Sequence, residues 1–264
     1  MNPIKILLIA VVIVITSSAK TITGQDNNTK QQLYQIKTYV FTTDEQESTT
    51  DKYLQEAFLP GMKRLGIENI GVFKPRTGTN DNLKKTYVFI PFSTFEQFYT
   101  YDDKLLQDKA YLSAGSDYLT DSHETPPYQR LHSVLLKAFA HMPEMSVPEF
   151  DSPRPDRVYE LRSYQSPNET YFKNKVDMFN AGGEMKIFEK LGFNAVFYGE
   201  VISGPEMPNL MYMTTFSDQQ SREEHWNSFR TDADWDKLKS MDKYANNVSH
   251  IDVIFLYPTE YSDF

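Results

Sequence analysis

Apolar and polar side chains alternate with a period of two residues in two separate stretches of the chain. Residues 33–39 read LYQIKTY, and residues 158–164 read VYELRSY. A period of two is typical of a β-strand with one face turned toward a core. When the two stretches are aligned, the segments that follow them correspond in the same order, which predicts an internal repeat.

Each alternating stretch leads into a segment with helical periodicity, and both helical segments finish on a Leu-Gly pair. Gly66 and Gly192 are therefore predicted to be left-handed C-caps. In the second half, Ser166 followed by Glu169 at the third position predicts an N-cap with a capping box. The Gly182-Gly183 pair lies within the helical pattern and predicts a break in that helix.

Further strands complete the same order in both halves. They are predicted at residues 67–74, 86–92 and 132–139 in the first half, and at residues 193–202, 210–216 and 249–257 in the second. With a second helix before each final strand, each half reads β-α-β-β-α-β, the ferredoxin-like unit. Such a sheet carries helices on one face only, and a partner sheet is the simplest cover for the other. The predicted fold class is α+β, with two tandem ferredoxin-like units packed sheet to sheet as a pseudo-dimeric α+β barrel.

The first 19 residues have the three parts of an export signal. Lys5 supplies the positive charge, residues 6–15 are an unbroken apolar run, and Ser17 and Ala19 are the small residues of a cleavage site after Ala19. The apolar run is too short to cross a bilayer as a mature helix. The sequence therefore predicts a secreted or periplasmic protein, with an uncleaved N-terminal anchor as the alternative.

Composition divides the rest of the chain into two units and two linkers. Residues 20–32 are polar and are interpreted as a linker, and residues 33–141 form the first unit. Residues 142–156 contain four prolines and are interpreted as a second linker. Residues 157–264 form the second unit.

Charge and motif content exclude several functions. The chain has 264 residues and a formal net charge of −9, without a cluster of basic residues, so nucleic acid is not an expected partner. The absence of cysteine excludes disulfides and thiolate metal sites. No His-x-x-x-His pair, phosphate-binding glycine loop or G-x-S-x-G motif is present. We therefore expect no metal and no cofactor, and no integral membrane segment after removal of the signal.

Two motifs in the second half are similar to those of the NIPSNAP family. The first is YELRSY at residues 159–164. The second spans residues 222–235 and reads R-x-x-x-W-x-x-F-R-x-D-x-x-W. The resemblance covers roughly residues 157–260 and is clearest in the C-terminal half.

The resemblance implies a dimeric α+β barrel, a fold shared with cofactor-free monooxygenases and related small enzymes. It implies no particular reaction, because the family has no securely assigned activity and a fold is weak evidence for function. The first half departs from the family pattern, since Gln35 and Lys37 replace the counterparts of Glu160 and Arg162. The sequence therefore leaves open whether the first half keeps a site, for which Lys37 and Tyr39 are the candidate ligand-binding residues.

The alternation along each strand also indicates which polar residues share a face of the sheet. Glu160, Arg162 and Tyr164 share one face of their strand, and the apolar set on the other face is the better match for the helices. We therefore expect these three side chains to point into the barrel. The same reasoning places further polar residues there: Gln35, Lys37 and Tyr39 in the first half, and His250 and Asp252 in the last strand.

A polar lumen of this kind predicts a pocket for a small polar or anionic ligand, with Arg162 as anchor and His250 as proton carrier. The alternative is a structural Glu160–Arg162 pair that seals the interface between the sheets, since buried charges need partners. Three functions remain open: an exported ligand-binding protein of the NIPSNAP type, a cofactor-independent monooxygenase or isomerase, and a structural protein-interaction module. A homo-oligomer is compatible with each of them.

Overall fold

The computed structural model describes residues 30–76, 84–120 and 123–264. The predicted export signal, residues 1–19, and residues 20–29 of the predicted linker lie outside the described residues. Within the described part, no helix is both long enough and apolar enough to cross a bilayer.

The strands of the described chain form one closed antiparallel barrel. They are β1 (Leu33–Phe41), β2 (Gly71–Pro75), β3 (Lys84–Phe92), β4 (Arg130–Ala138), β5 (Val158–Gln165), β6 (Asn194–Ser203), β7 (Asn209–Phe216) and β8 (His250–Pro258). Their order around the barrel is β1-β3-β2-β8-β5-β7-β6-β4, and pairing of β4 with β1 completes the circle. A closed barrel leaves no long sheet edge exposed.

Helices lie between the strands in the same order in both halves. The first half has α1 (Asp44–Tyr53), α2 (Leu59–Arg64), α3 (Phe95–Leu105), α4 (Lys109–Ala114) and α5 (Ser116–Leu119), with a π-helical turn at Leu54–Phe58. The second half has α6 (Glu169–Phe179), α7 (Glu184–Lys190), α8 (Gln219–Arg230), α9 (Ala233–Lys239) and a 3₁₀ turn at Asp242–Tyr244.

The two halves meet along two strand pairs. Each half has the ferredoxin-like strand order, β4-β1-β3-β2 in the first and β8-β5-β7-β6 in the second. Phe73 of β2 pairs with Pro258 of β8, and Leu136 of β4 pairs with Val201 of β6. The predicted fold class, an α+β barrel made of two ferredoxin-like units, is confirmed.

The barrel separates three apolar cores. One core lies between the first sheet and its helices, and it contains Phe58, Met62, Ile90, Phe92 and Tyr101. A second core lies under the helices of the second half, and it contains Phe179, Phe188, Tyr212, Trp226 and Phe229. The third core fills the lumen and contains Tyr34, Phe73, Phe89, Tyr159, Phe197 and Phe264. Both faces of each sheet are therefore buried.

One end of the lumen is closed by aromatic rings. Phe264 enters the barrel and stacks on Phe73 with ring centroids 5.5 Å apart. Phe89 and Phe197 stack beside them at 4.8 Å. Gly71 lies against this cluster, and a Cβ atom at that position would be 2.2 Å from the Phe264 ring. We call this cluster of Phe73, Phe89, Phe197 and Phe264 the lumen floor.

The segment 142–156 crosses the same closed end of the barrel. Met145 and Val147 pack against the lumen core, and the Ser146 amide donates a hydrogen bond to the Val196 carbonyl. This proline-containing segment therefore contributes to packing as well as joining the two units.

The helix ends follow the sequence at the C-caps and differ from it at one N-cap. Gly66 and Gly192 have φ angles of 72° and 78°, as predicted for left-handed caps, and the helical break occurs at Gly183. The N-cap predicted at Ser166 is wrong, because Asn168 caps α6 and accepts hydrogen bonds from the Thr170 and Tyr171 amides. Ser166 donates its hydroxyl hydrogen to the Asn247 carbonyl instead.

Candidate functional site

The polar residues of β5 point toward the helices and not into the lumen. Tyr159 and Leu161 are buried in the lumen core, while Glu160 and Tyr164 contact the helical layer. The predicted orientation of Glu160, Arg162 and Tyr164 is therefore wrong. At the closed end of the lumen the side chains are removed from water, and apolar residues are favoured there because an unpaired buried polar group is costly. Among these helix-facing polar residues, Glu160 finds hydrogen-bond partners on α8, and Tyr164 pairs with Tyr212 of β7.

Glu160 is completely buried beneath α8 and is saturated with hydrogen bonds. Its carboxylate accepts from Arg162 Nη1 at 2.9 Å, from Arg222 Nε at 2.9 Å and Nη2 at 3.0 Å, and from Trp226 Nε1 at 2.7 Å. The Arg162 guanidinium also lies 4.3 Å from the centre of the Trp226 ring. Charge-assisted bonds of this kind hold strand and helix in one arrangement. The geometry matches a structural ion-pair network, the alternative considered from the sequence.

A second buried ion pair adjoins this network. Lys175 Nζ lies 2.8 Å from a Glu184 carboxylate oxygen, and both side chains are almost fully buried. Nearby, the Tyr164 and Tyr212 hydroxyls are 2.9 Å apart. Burial raises the pKa of Tyr164 to about 12, so this hydroxyl keeps its proton at neutral pH. Tyr164 therefore belongs to the helix-side core and not to a lumen site.

In the first half, the polar residues of β1 also point toward the helices, but they form different contacts from those of β5. Lys37 and Tyr39 also face the helices, which corrects their predicted place in the lumen. The Lys37 ammonium lies 5.2 Å from the Phe58 ring and 3.5 Å from the Tyr101 hydroxyl. Among the described residues no carboxylate forms a salt bridge with it. Burial lowers the pKa of Lys37. Gln35, at the position of Glu160, accepts a hydrogen bond from the Tyr101 hydroxyl.

The end of the barrel opposite the lumen floor contains a cavity of about 960 Å³, which we call the mouth cavity. Its inner wall is apolar, and its residues include Ile36, Val134, Leu161, Met211 and Ile254. Polar side chains surround them toward the opening: Thr38, Lys85, Tyr87, His132, Ser163, Glu206, Asn209, His250 and Asp252. An apolar pocket with a few polar groups is the usual form of a small-molecule site.

Two hydrogen-bonded groups provide the polar chemistry of the mouth cavity. Asn209, which is 3 % exposed, donates from Nδ2 to the Ser163 hydroxyl at 2.9 Å. His250 Nε2 lies 3.0 Å from Asp252 Oδ1, and Gln165 Nε2 donates to the other carboxylate oxygen at 3.2 Å. The carboxylate thus orients the imidazole at the entrance of the cavity.

The structure divides the sequence-predicted site residues between two places. His250 and Asp252 line the mouth cavity, whereas Glu160 and Arg162 lie on the opposite face of the sheet. These four residues therefore do not form one site. Ligand binding by any of them stays a prediction.

Sequence reasoning missed several other residues that line the cavity, among them Ser163 and Asn209. One signal was available for Ser163. It shares its face with Tyr159 and Leu161, and a small hydroxyl residue interrupts that otherwise large apolar set. A small side chain among large ones leaves space in a closed barrel. No comparable signal marked Asn209.

A family comparison agrees with the motifs of the second half. Residues 159–263 match the family model of NIPSNAP. Among curated proteins, none matches the chain significantly.

Solved structures share the fold across most of the chain. A protein of Fusobacterium nucleatum subsp. nucleatum, proposed to be a monooxygenase, has a TM-score of 0.56 and 10% identity, covering 87% of this chain and 93% of its own. A protein of Lactobacillus acidophilus NCFM with the same proposed activity has a TM-score of 0.56 and 8% identity, covering 86% and 94%. An anthrone oxidase-like protein has a TM-score of 0.50 and 10% identity, covering 87% and 92%. Identities this low show the fold alone.

Proposed function

Taking residues 159–263 as a NIPSNAP-family domain within an α+β barrel, we propose that the protein binds a small organic molecule in the mouth cavity. The observation that carries this proposal is the arrangement of the lining. The inner wall is apolar, and polar groups are confined to the entrance and to the Ser163–Asn209 pair. A molecule with an apolar body and a hydrogen-bonding end fits this arrangement.

The corrected orientation of β5 also changes the class of ligand. An anionic ligand was expected because Arg162 was expected in the lumen, but Arg162 is engaged with Glu160 beneath α8. The charged residues of the cavity lining are Lys85, Glu206 and Asp252, which together carry no excess positive charge, and the other polar groups are hydroxyls, an amide and imidazoles. Neutral aromatic alcohols and ketones are therefore the ligands that we propose, since their rings match the apolar wall and their oxygen matches these donors.

Filling the mouth cavity should abolish binding. We expect naphthol, titrated by ligand-observed NMR, to bind the wild-type protein and to bind Ile254→Trp at least about tenfold more weakly, because the indole ring would occupy the cavity. Ile202→Trp is the matched control, since Ile202 lies on β6 outside the cavity and is 44 % exposed. Equal binding by the wild type and Ile254→Trp would contradict the proposed site.

A second candidate function is proton transfer to or from such a ligand. It is favoured by the His250–Asp252 pair at the cavity entrance and by the fold shared with proposed monooxygenases and with an anthrone oxidase-like protein. With the Nε2 hydrogen donated to Asp252, Nδ1 of His250 is left as the base. It would remove a proton from a carbon next to a carbonyl group. Returning that proton at another atom gives an isomerase. In a monooxygenase, the resulting carbanion would add O₂ and take up a proton to form a hydroperoxide. Loss of the second C–H hydrogen with cleavage of the O–O bond would then leave a new carbonyl group and release the other oxygen atom as water.

Replacing His250 should separate catalysis from binding. We expect the wild type to accelerate exchange of the acidic C–H hydrogens of anthrone with deuterated water, and His250→Gln to lose most of this acceleration while naphthol binding is retained. His141→Gln is the control, because His141 is exposed and lies outside the mouth cavity. If His250→Gln accelerated hydrogen exchange of anthrone as much as the wild type does, proton transfer by His250 would be rejected. The proposed binding function would be unaffected by that result.

Export is also part of the proposal, and it rests on the charged, apolar and small-residue segments of residues 1–19. N-terminal sequencing of the secreted protein is expected to begin near Lys20. A retained Met1 would contradict this expectation.

A further inference from the structure

The outward face of α3 carries large apolar side chains. Phe95, Tyr99 and Leu106 are 58 %, 72 % and 59 % exposed. At about 100° per residue, the three lie within a narrow stripe along the helix. Single exposed apolar residues are common, but a group of large ones on one helix face is typical of an interaction site.

Acidic side chains flank this stripe. Glu96, Asp102 and Asp103 are exposed, and none of them takes part in a salt bridge within the part of the chain that the structure describes. Together with the three apolar residues they cover an arc of about 120°. We call these six residues the α3 face. Of its three carboxylates, Asp102 interacts electrostatically with the buried Lys37 ammonium, so Glu96 and Asp103 carry most of the charge that a partner can meet.

The second half of the chain provides an internal comparison for this face. Thr94 and Asp218 are the N-caps of α3 and α8, so the two helices can be aligned on these residues. Gln219, Glu223 and Arg230 of α8 then occupy the positions of Phe95, Tyr99 and Leu106. All three are exposed and polar. The fold therefore does not require apolar side chains at these positions.

The aromatic part of the face is held in place by the core beneath it. The Phe95 ring stacks with Tyr99 at 6.1 Å and contacts Phe98 at 5.9 Å. Phe98 in turn packs on the buried Phe92 at 5.6 Å. Aromatic side chains that are ordered before binding lose little entropy when a partner docks, and they are frequent binding hot spots.

We propose that the α3 face is a docking surface for a partner protein that presents a basic amphipathic segment. Apolar side chains of the segment would cover Phe95, Tyr99 and Leu106, and its Lys or Arg residues would pair with the flanking carboxylates. Charge disfavours a second copy of the same face, which would place like charges together, and it disfavours an anionic membrane for the same reason. None of these residues lines the mouth cavity, so this site is independent of the proposed ligand site.

The proposal is tested with a defined peptide. A short fluorescent helix-forming peptide of Leu and Lys, with Leu on one face, is titrated against the full chain and followed by anisotropy. We expect binding that weakens as salt is added. The double variant Phe95→Gln/Tyr99→Gln replaces the aromatic rings with neutral polar residues, and it should bind the peptide about tenfold more weakly while its circular dichroism spectrum is unchanged.

Two controls and three contrary outcomes complete the test. Gln219→Ala/Glu223→Ala, on the equivalent face of α8, should bind the peptide as the wild type does, and a Leu/Glu peptide should not bind. Equal affinity of the Phe95→Gln/Tyr99→Gln variant would overturn the proposal. Self-association in sedimentation analysis that this variant abolishes would assign the face to a second copy of the chain. Binding to phosphatidylcholine vesicles that it abolishes would assign the face to a lipid surface.

Discussion

Replacing Glu160 with Gln is expected to lower the free energy of unfolding by about 3–5 kcal/mol. The carboxylate is 0 % exposed and accepts hydrogen bonds from two arginines and from Trp226. An amide has only one acceptor oxygen, and its NH₂ group would face donors. The change would therefore leave Arg162 and Arg222 without a buried counter-charge, which is the costly way to break an ion pair.

Urea denaturation of Glu160→Gln and Glu223→Gln measures this effect against a matched control. Glu223 also pairs with Arg222, at 2.6 Å, but its side chain is 48% exposed. Loss of an exposed pair costs less than about 1 kcal/mol. If both variants were destabilised by the same small amount, Glu160 would not be the centre of a structural network. Enhanced binding of naphthol by Glu160→Gln would be a further contradiction, since the carboxylate lies on the face away from the cavity.

The second large effect is expected at Gly71, where alanine should destabilise the protein by about 3 kcal/mol, the upper part of the range for overpacked cores. The added Cβ would lie 2.2 Å from the Phe264 ring and 2.4 Å from the Phe73 ring. Both rings are fully buried in the lumen floor and stack on each other. Neither can move without disturbing the rest of the floor, because interiors are close-packed.

A compensating variant distinguishes steric overlap with the Phe264 ring from the general effect of replacing a glycine with alanine. Gly71→Ala/Phe264→Leu should be more stable than the sum of the two single variants predicts, because a smaller side chain makes room for the new methyl group. Gly115→Ala is the control, since its nearest side-chain neighbours would be at 3.1 Å and 3.2 Å and the adjustment is smaller. Strict additivity in urea denaturation would show that Phe264 does not fill the floor in solution.

The strands, the helix ends and the fold class could be predicted because local signals specify them. Alternation at residues 33–39 and 158–164 marks β1 and β5, and Gly66 and Gly192 mark the ends of helices through their left-handed conformation. The capping residue of α6 was misplaced by two positions. Ser166 and Asn168 can both cap a helix, and the choice was made by the Asn247 carbonyl, which accepts from Ser166 across the second unit.

The candidate site was only partly predictable for a related reason. His250 and Asp252 reach the mouth cavity as their alternation suggested, but Glu160 and Arg162 do not. Apolar residues were assigned to the helices on the assumption that the helical layer is the drier face. In this barrel both faces are buried, and the helix-facing carboxylate is satisfied by donors that lie some 60 residues further along the chain.

The sequence by itself determined which residues share a face, because alternation in a strand is a property of the backbone. It could not determine which face turns inward, since a period of two is the same in both orientations. Tertiary structure made that choice. Arg222 and Trp226 of α8 provide the donors that bury Glu160, and closure of the two sheets requires apolar side chains such as Tyr159 and Leu161 inside. The mouth cavity exists only because strands from both halves surround it.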